Sequence, residues 1–218
     1  GHWVTERTYH SMSSDRHPQS PHPVERSHTE FTVIPISSAD KAQILAIANP
    51  TMAPLVINVA QATFDDKLWP GFAVDFATES ETGEQVAMTL KAVFVPDALV
   101  LATKQDQAFP PPPPAAQVAS GISGDLVQGF YLRDQGYSEA GAIAGRFTYL
   151  ASRQTLEMTT YYQNSIAVDQ MRLLNPNLRL RTIVNYQRPA GDEAPSVIDL
   201  IGFGTEIKTA EAVNHPPT

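Results

Sequence analysis

Two arginines two residues apart, Arg179 and Arg181, stand in the strictly alternating stretch Asn175–Gln187, NPNLRLRTIVNYQ. Such positions in a strand share one face about 6.5–7 Å apart. Both guanidiniums therefore point one way, and Leu178, Leu180 and Val184 the other. Arg7, in WVTERTYH, shares a face in the same manner with Trp3, Thr5 and Tyr9. Near the other end of the chain, GFGTEIK puts Glu206 on one face with Gly202 and Gly204, where two absent side chains leave room beside the carboxylate. The planar guanidinium fork suits carboxylate recognition, so the pattern fits an anionic ligand held against a sheet. The plainer account is a solvated outer strand face, and for a single Arg-x-Arg it is the better one.

Other chemistries find little support. His10, His17, His22 and His28 fall early in the chain, at spacings that match no helical or knuckle metal site, so solvated loop side chains are expected and no metal. There is no G-x-S-x-G elbow, phosphate loop or dinucleotide fingerprint. The absence of cysteine removes disulfides, thiolate ligands and a cysteine nucleophile. A formal charge of −8 argues against nucleic acid and acidic membranes as partners. No apolar run is long enough to span a bilayer.

The elements that must position these residues are mostly strands. Period-two segments run Trp3–His10, Thr29–Pro35, Pro54–Val59, Phe72–Thr78, Gln85–Val95, Leu126–Arg133, Ala142–Leu150, Thr155–Gln163, Ala167–Leu174, Leu178–Gln187 and Ser196–Lys208. Turn-like pieces separate them at short intervals from Leu126 onward, as in an antiparallel meander or barrel. One helix is expected in SSADKAQILAIAN, capped by Ser37 or Ser38, with Ile44, Leu45, Ile47 and Ala48 as its apolar stripe. The 218 residues are expected to form one domain, 1–218, with a loop over 11–28, a proline-rich insertion over 104–120 and a tail over 209–218. Pro110 to Pro114 cannot join a sheet and favour a polyproline helix. They read as a surface insertion, or as a segment recruited by an aromatic-grooved partner.

A barrel interior with several arginines and a carboxylate is costly without a partner. A linear tetrapyrrole would resolve that cost, since it has two propionates and pyrrole nitrogens that seek an acidic acceptor. The residues then resemble a known family. WVTERTYHSM, YLRDQGYSEAGAIAGRF, MTTYYQN, NPNLRLRTIV and GFGTEIK, in that order, closely resemble the S-type phycobiliprotein lyases of the CpcS/CpeS kind. The match is dense from Phe130 to Arg181 and thin from Ser11 to about Val93, with FVPD at Phe94–Asp97 as a further anchor. GHW matches the Gly-x-Trp of lipocalins.

The resemblance implies an all-β, lipocalin-like antiparallel barrel of about ten strands with one or two helices. It implies an enzyme that holds a phycobilin, phycocyanobilin or phycoerythrobilin, as substrate rather than prosthetic group. That enzyme adds a cysteine thiol of an apo-phycobiliprotein subunit to the ethylidene group on ring A. It carries over Arg7, Arg179 and Arg181 as bilin-binding, with Trp69 and Phe76 in the altered middle WPGFAVDFATESETGE. Glu206 is carried over as binding and catalytic, and His10 as assisting proton transfer. Having no cysteine, the chain cannot keep the bilin as its own thioether. A homodimer or a second lyase subunit is a further partner, and the expected place is cyanobacterial cytoplasm, or a plastid stroma for an algal chain. The family's usual helix before the Gly-x-Trp does not precede Gly1. The rival readings are a non-catalytic bilin carrier, a barrel for another apolar acid, and an interaction scaffold with outward arginines.

Overall fold

The computed structural model describes residues 1–12, 24–48, 56–57, 67–102, 109–116, 125–137, 139–191 and 193–209. Strands β1 (His2–Ser11), β2 (Val24–Pro35), β4 (Gly71–Ser80), β5 (Gln85–Pro96), β7 (Leu126–Arg133), β8 (Ile143–Leu150), β9 (Thr155–Tyr161), β10 (Ser165–Asn175), β11 (Leu178–Gln187) and β12 (Ile198–Thr209) close an antiparallel barrel. Around the barrel the order is β1, β12, β11, β10, β9, β8, β7, β5, β4, β2. Two short strands, β3 (Val56–Ile57) and β6 (Val100–Ala102), pair separately. This is the expected all-β barrel. Strand β2 begins earlier than the sequence pattern suggests, taking Val24 to His28 out of the expected 11–28 loop. His17 and His22 lie outside the described residues.

Alternation assigns each strand two faces. Inward, Leu90, Ala92, Phe94, Tyr131, Phe147 and Met158 form one apolar cluster, with Phe94 5.1 Å from both Tyr131 and Phe147. Burying each such side chain stabilises the fold by roughly 1.5–3 kcal/mol. The same β5 and β7 are apolar outward too, because helix α1 (Ser38–Ala48) lies across them. Ser37 caps that helix: its Oγ accepts from the Asp40 backbone N–H at 3.1 Å, while Asp40 Oδ2 accepts from the Ser37 N–H at 3.3 Å. Ile44 anchors it against Trp69, Val93, Val95, Phe130 and Leu132.

The proline segment is packed rather than free. Phe109 stacks on Tyr161 at 4.5 Å. Ala115 N–H donates to Tyr186 Oη at 3.2 Å, and Gln170 Nε2 donates to the Ala115 carbonyl at 3.1 Å. Pro113 is fully buried against the outer barrel wall. The segment is thus tied to the chain's own β9–β11 face.

Candidate functional site

The cross-strand register puts the opening arginines inside. Arg179 pairs with Glu206, and Arg181 with Gly204; on the other side of β12, Thr5 pairs with Glu206 and Arg7 with Gly204. No register shift interrupts Gly202 to Glu206, so the inward face carries Gly202, Gly204 and Glu206 in line. The glycines do leave room, and Arg7 and Tyr9 use it. A Cβ on Gly204 would lie 2.5 Å from the Glu6 carbonyl oxygen and 3.1 Å from Arg7 Cγ; one on Gly202 would strike the Tyr9 ring at 2.6 Å.

Glu206 is 0% exposed and sits under three guanidiniums. Arg7 Nη2 donates to its Oε1 at 3.2 Å, Arg181 Nη1 to the same oxygen at 3.4 Å, and Arg179 Nε to Oε2. Arg181 also grips Asp169 by two donors, Nε at 2.8 Å and Nη2. The Arg179 guanidinium lies 4.5 Å over the Trp3 ring and 5.4 Å from Phe31, so aromatic faces fix its plane. Burial pushes the Glu206 carboxyl up, but Arg181, Arg179 and Arg7 outweigh it and hold the group below the usual glutamate range. Burial lowers Arg179, only partly offset by Glu206.

A second basic group faces the same interior. Arg133 is 2% exposed, donates from Nη2 to Tyr162 Oη at 2.5 Å, and lies 4.8 Å from Tyr137, 5.5 Å from Tyr162 and 5.8 Å from Tyr131. Burial raises the Tyr131 and Tyr162 phenols, so both stay neutral and neither cancels its charge. Three guanidiniums and two carboxylates share the Glu206 network, a surplus of one positive charge, and Arg133 adds a second charge apart from it. Glu25 also faces inward, at the start of β2, and pairs with none of them among the described residues. Thr5 Oγ1, Arg7 Nε, Ser11 Oγ, Ser27 Oγ, Arg133 Nε and Asn185 Oδ1 are buried without a hydrogen-bond partner among the described residues. All six belong to inward-facing positions.

The structure brings Arg7, Arg179, Arg181 and Glu206 together, and Phe76 faces the same interior, 5.6 Å from Tyr137. Two expectations are corrected. His10 lies an odd number of residues from Arg7, so it takes the outer face, where its ring stacks on the exposed Phe203 at 5.7 Å. It cannot reach the Glu206 side without leaving the strand. Trp69 precedes β4 and packs outside the barrel beneath α1, with Lys41 Nζ 5.4 Å from its ring. Asp169, Trp3, Phe31 and Arg133 with its tyrosines went unforeseen as site residues. Asp169 was not recoverable from the turn alone: with Asn175 opposite Leu178 an unbroken hairpin would turn it outward, and the register shift between Leu173 and Asn175 brings it to the inward face near Arg181.

Comparison with known proteins agrees with the barrel fold. A family model described as CpeS-like protein matches residues 116–209. The chain is 34% identical over 208 residues to a protein of Synechococcus sp. (strain JA-3-3Ab) named Chromophore lyase CpcS/CpeS 1, covering 95% of this chain and 91% of that one. A chromophore lyase CpcS/CpeS of Thermosynechococcus vestitus is 36% identical over 61 residues, 28% of this chain and 33% of that one. The solved S-type phycobiliprotein lyase CPES of Guillardia theta superposes with a TM-score of 0.55 at 14% identity, over 97% of this chain and 89% of that one, a likeness of fold.

Proposed function

The chain belongs to the CpcS/CpeS family of chromophore lyases, and on that premise we propose that it binds a linear tetrapyrrole in the barrel and attaches it to a phycobiliprotein cysteine. The observation that carries this reading is the buried positive surplus of the barrel interior, one charge in the Glu206 network and one at Arg133. Two propionates are the complement of two uncompensated guanidinium charges, and each carboxylate finds donors already held in place. The unpartnered Arg7 and Arg133 Nε atoms fit the same ligand, as do Asn185 and the buried hydroxyls, which match its lactam and pyrrole groups.

In this account Arg179 and Arg181 bind propionates, with Trp3 and Phe31 orienting Arg179 and Asp169 orienting Arg181. Glu206, kept ionised by its arginines, accepts from pyrrole N–H groups. Phe76 supplies apolar wall. The protein holds the tetrapyrrole extended and presents ring A to the acceptor. The acceptor's thiol sulfur then bonds the outer ethylidene carbon, and the thiol proton passes to the ring carbon, so nothing leaves. No cysteine of this chain competes. The cyanobacterial relatives support a cytoplasmic setting, and no helix is long and apolar enough to cross a membrane among the described residues.

Titrating the protein with phycocyanobilin and with phycoerythrobilin while following absorption tests this reading. Saturable spectral change that is lost in Arg179→Ala/Arg181→Ala is the expected result. Binding unaffected by that double substitution would return the arginines to a merely structural role.

A further inference from the structure

Outside the barrel, the proline segment and the outward faces of β7, β8 and β9 border a groove of about 920 Å3. It lies across the sheet from the arginine network and is separate from it. Thr148, Glu157 and Thr159 line it and are buried, although alternation turns them away from the barrel interior. Phe109, Phe130 and Tyr161 are its aromatic walls, with Phe109 stacked on Tyr161 and 6.2 Å from Phe130.

Glu157 is 7% exposed, and its hydrogen-bond partner among the described residues is a neutral donor, Gln170 Nε2 at 2.6 Å. Burial raises its carboxyl, with Gln170 opposing only in part. Arg146 also lines the groove, but it is committed elsewhere: Nη1 and Nη2 donate to the two oxygens of Asp97 at 2.8 and 2.5 Å, and the guanidinium lies 4.4 Å from the Phe130 ring. A buried carboxylate beside aromatic faces, with no cation paired to it among the described residues, is the arrangement that receives an organic cation. A divalent metal ion asks for several oxygen ligands, and one carboxylate does not supply them.

We propose that this groove binds an alkylammonium group, with Glu157 as counter-ion and Phe109 and Tyr161 as the wall for its methylenes. The ammonium comes either on a free polyamine or on a lysine side chain of a partner protein. The fold explains the proline insertion in the same terms. Tyr186 and Gln170 hold Ala115, which keeps Phe109 over the groove.

Calorimetric titration of the full chain with spermidine, and separately with a capped lysine peptide, tests the proposal. Saturable binding of at least one probe is expected. Glu157→Gln and Phe109→Ala should each weaken it, the former about tenfold or more, with the absorption spectrum of added phycocyanobilin unchanged. Spermidine alone binding identifies a free polyamine, and the lysine peptide alone binding identifies a protein side chain. No saturable binding of either probe, or binding indifferent to both substitutions, overturns the proposal. Because the bilin spectrum is read in the same samples, failure here is distinguishable from failure of the lyase reading.

Discussion

Arg179 and Glu206 are Cα partners across β11 and β12, and the Arg179 Nε donates to Glu206 Oε2 within that single rung. The ladder itself therefore fixes the carboxylate beneath the guanidinium. Trp3 then sets the guanidinium's plane from the far side. Such a pair is costly to assemble in an interior and costlier to break, because breaking it strands a charge.

Glu206→Gln is accordingly expected to destabilise the protein by about 3–5 kcal/mol, since three guanidiniums lose the negative charge they share. Urea unfolding with and without saturating phycocyanobilin measures this. The ligand's own carboxylates should restore part of the loss, and the bound bilin's absorption maximum should shift. An unchanged bound spectrum would remove Glu206 from the site.

Acid should act through the same group. Glu206 titrates below its unfolded value of about 4.3. Its contribution is complete above that unfolded value and disappears as pH falls through the lower folded one. Asp40, held at about 2 chiefly by Lys91 and Ser37, adds a decline of the same sign. Thermal unfolding scanned from pH 6 down to pH 2 should therefore show a fall below about pH 4. Glu206→Gln should flatten only part of it. A fall of equal depth in the variant would contradict the assignment.

Arg133 should behave oppositely to Glu206. No carboxylate pairs with it among the described residues; its contacts are Tyr162 Oη and three rings. Arg133→Met removes an uncompensated buried charge at the loss of one hydrogen bond, so stability should stay within about 1–2 kcal/mol of the parent. Bilin affinity should drop about tenfold. A large loss of stability with unchanged affinity would mark Arg133 as structural only.

His10 and Trp69 supply the contrast. His10→Ala, on the outer face, should leave bilin binding and attachment unchanged. Trp69→Ala should cost about 3–5 kcal/mol through the cluster under the helix, while the bound bilin spectrum is preserved. Loss of attachment in a folded His10→Ala protein would restore that residue to the mechanism.

The barrel and the arginine face were legible because alternation is a local signal: LRLR and GFGTE each declare a face within a few residues. His10 was carried over by resemblance against that same parity, which already placed it opposite Arg7. Trp69 misled for a different reason. It lies beyond any alternating run, so nothing local states which side of the sheet it covers. The tyrosines around Arg133 come from β7, the turn beyond it and the residue after β9, a proximity that only closure of the barrel creates. The packing of Pro110–Ala116 depends likewise on Tyr186 and Gln170, more than fifty residues away in sequence.

The central claim is tested most directly by mixing the purified protein with phycocyanobilin or phycoerythrobilin and apo-phycobiliprotein subunits. Denaturing gels are then read by zinc-enhanced bilin fluorescence, for the parent and for Arg179→Ala/Arg181→Ala. A fluorescent acceptor band that requires the protein and vanishes with the double substitution is the predicted result. Spectral change on bilin binding without any protein-dependent acceptor band, across the subunits tried, would contradict attachment and leave a carrier.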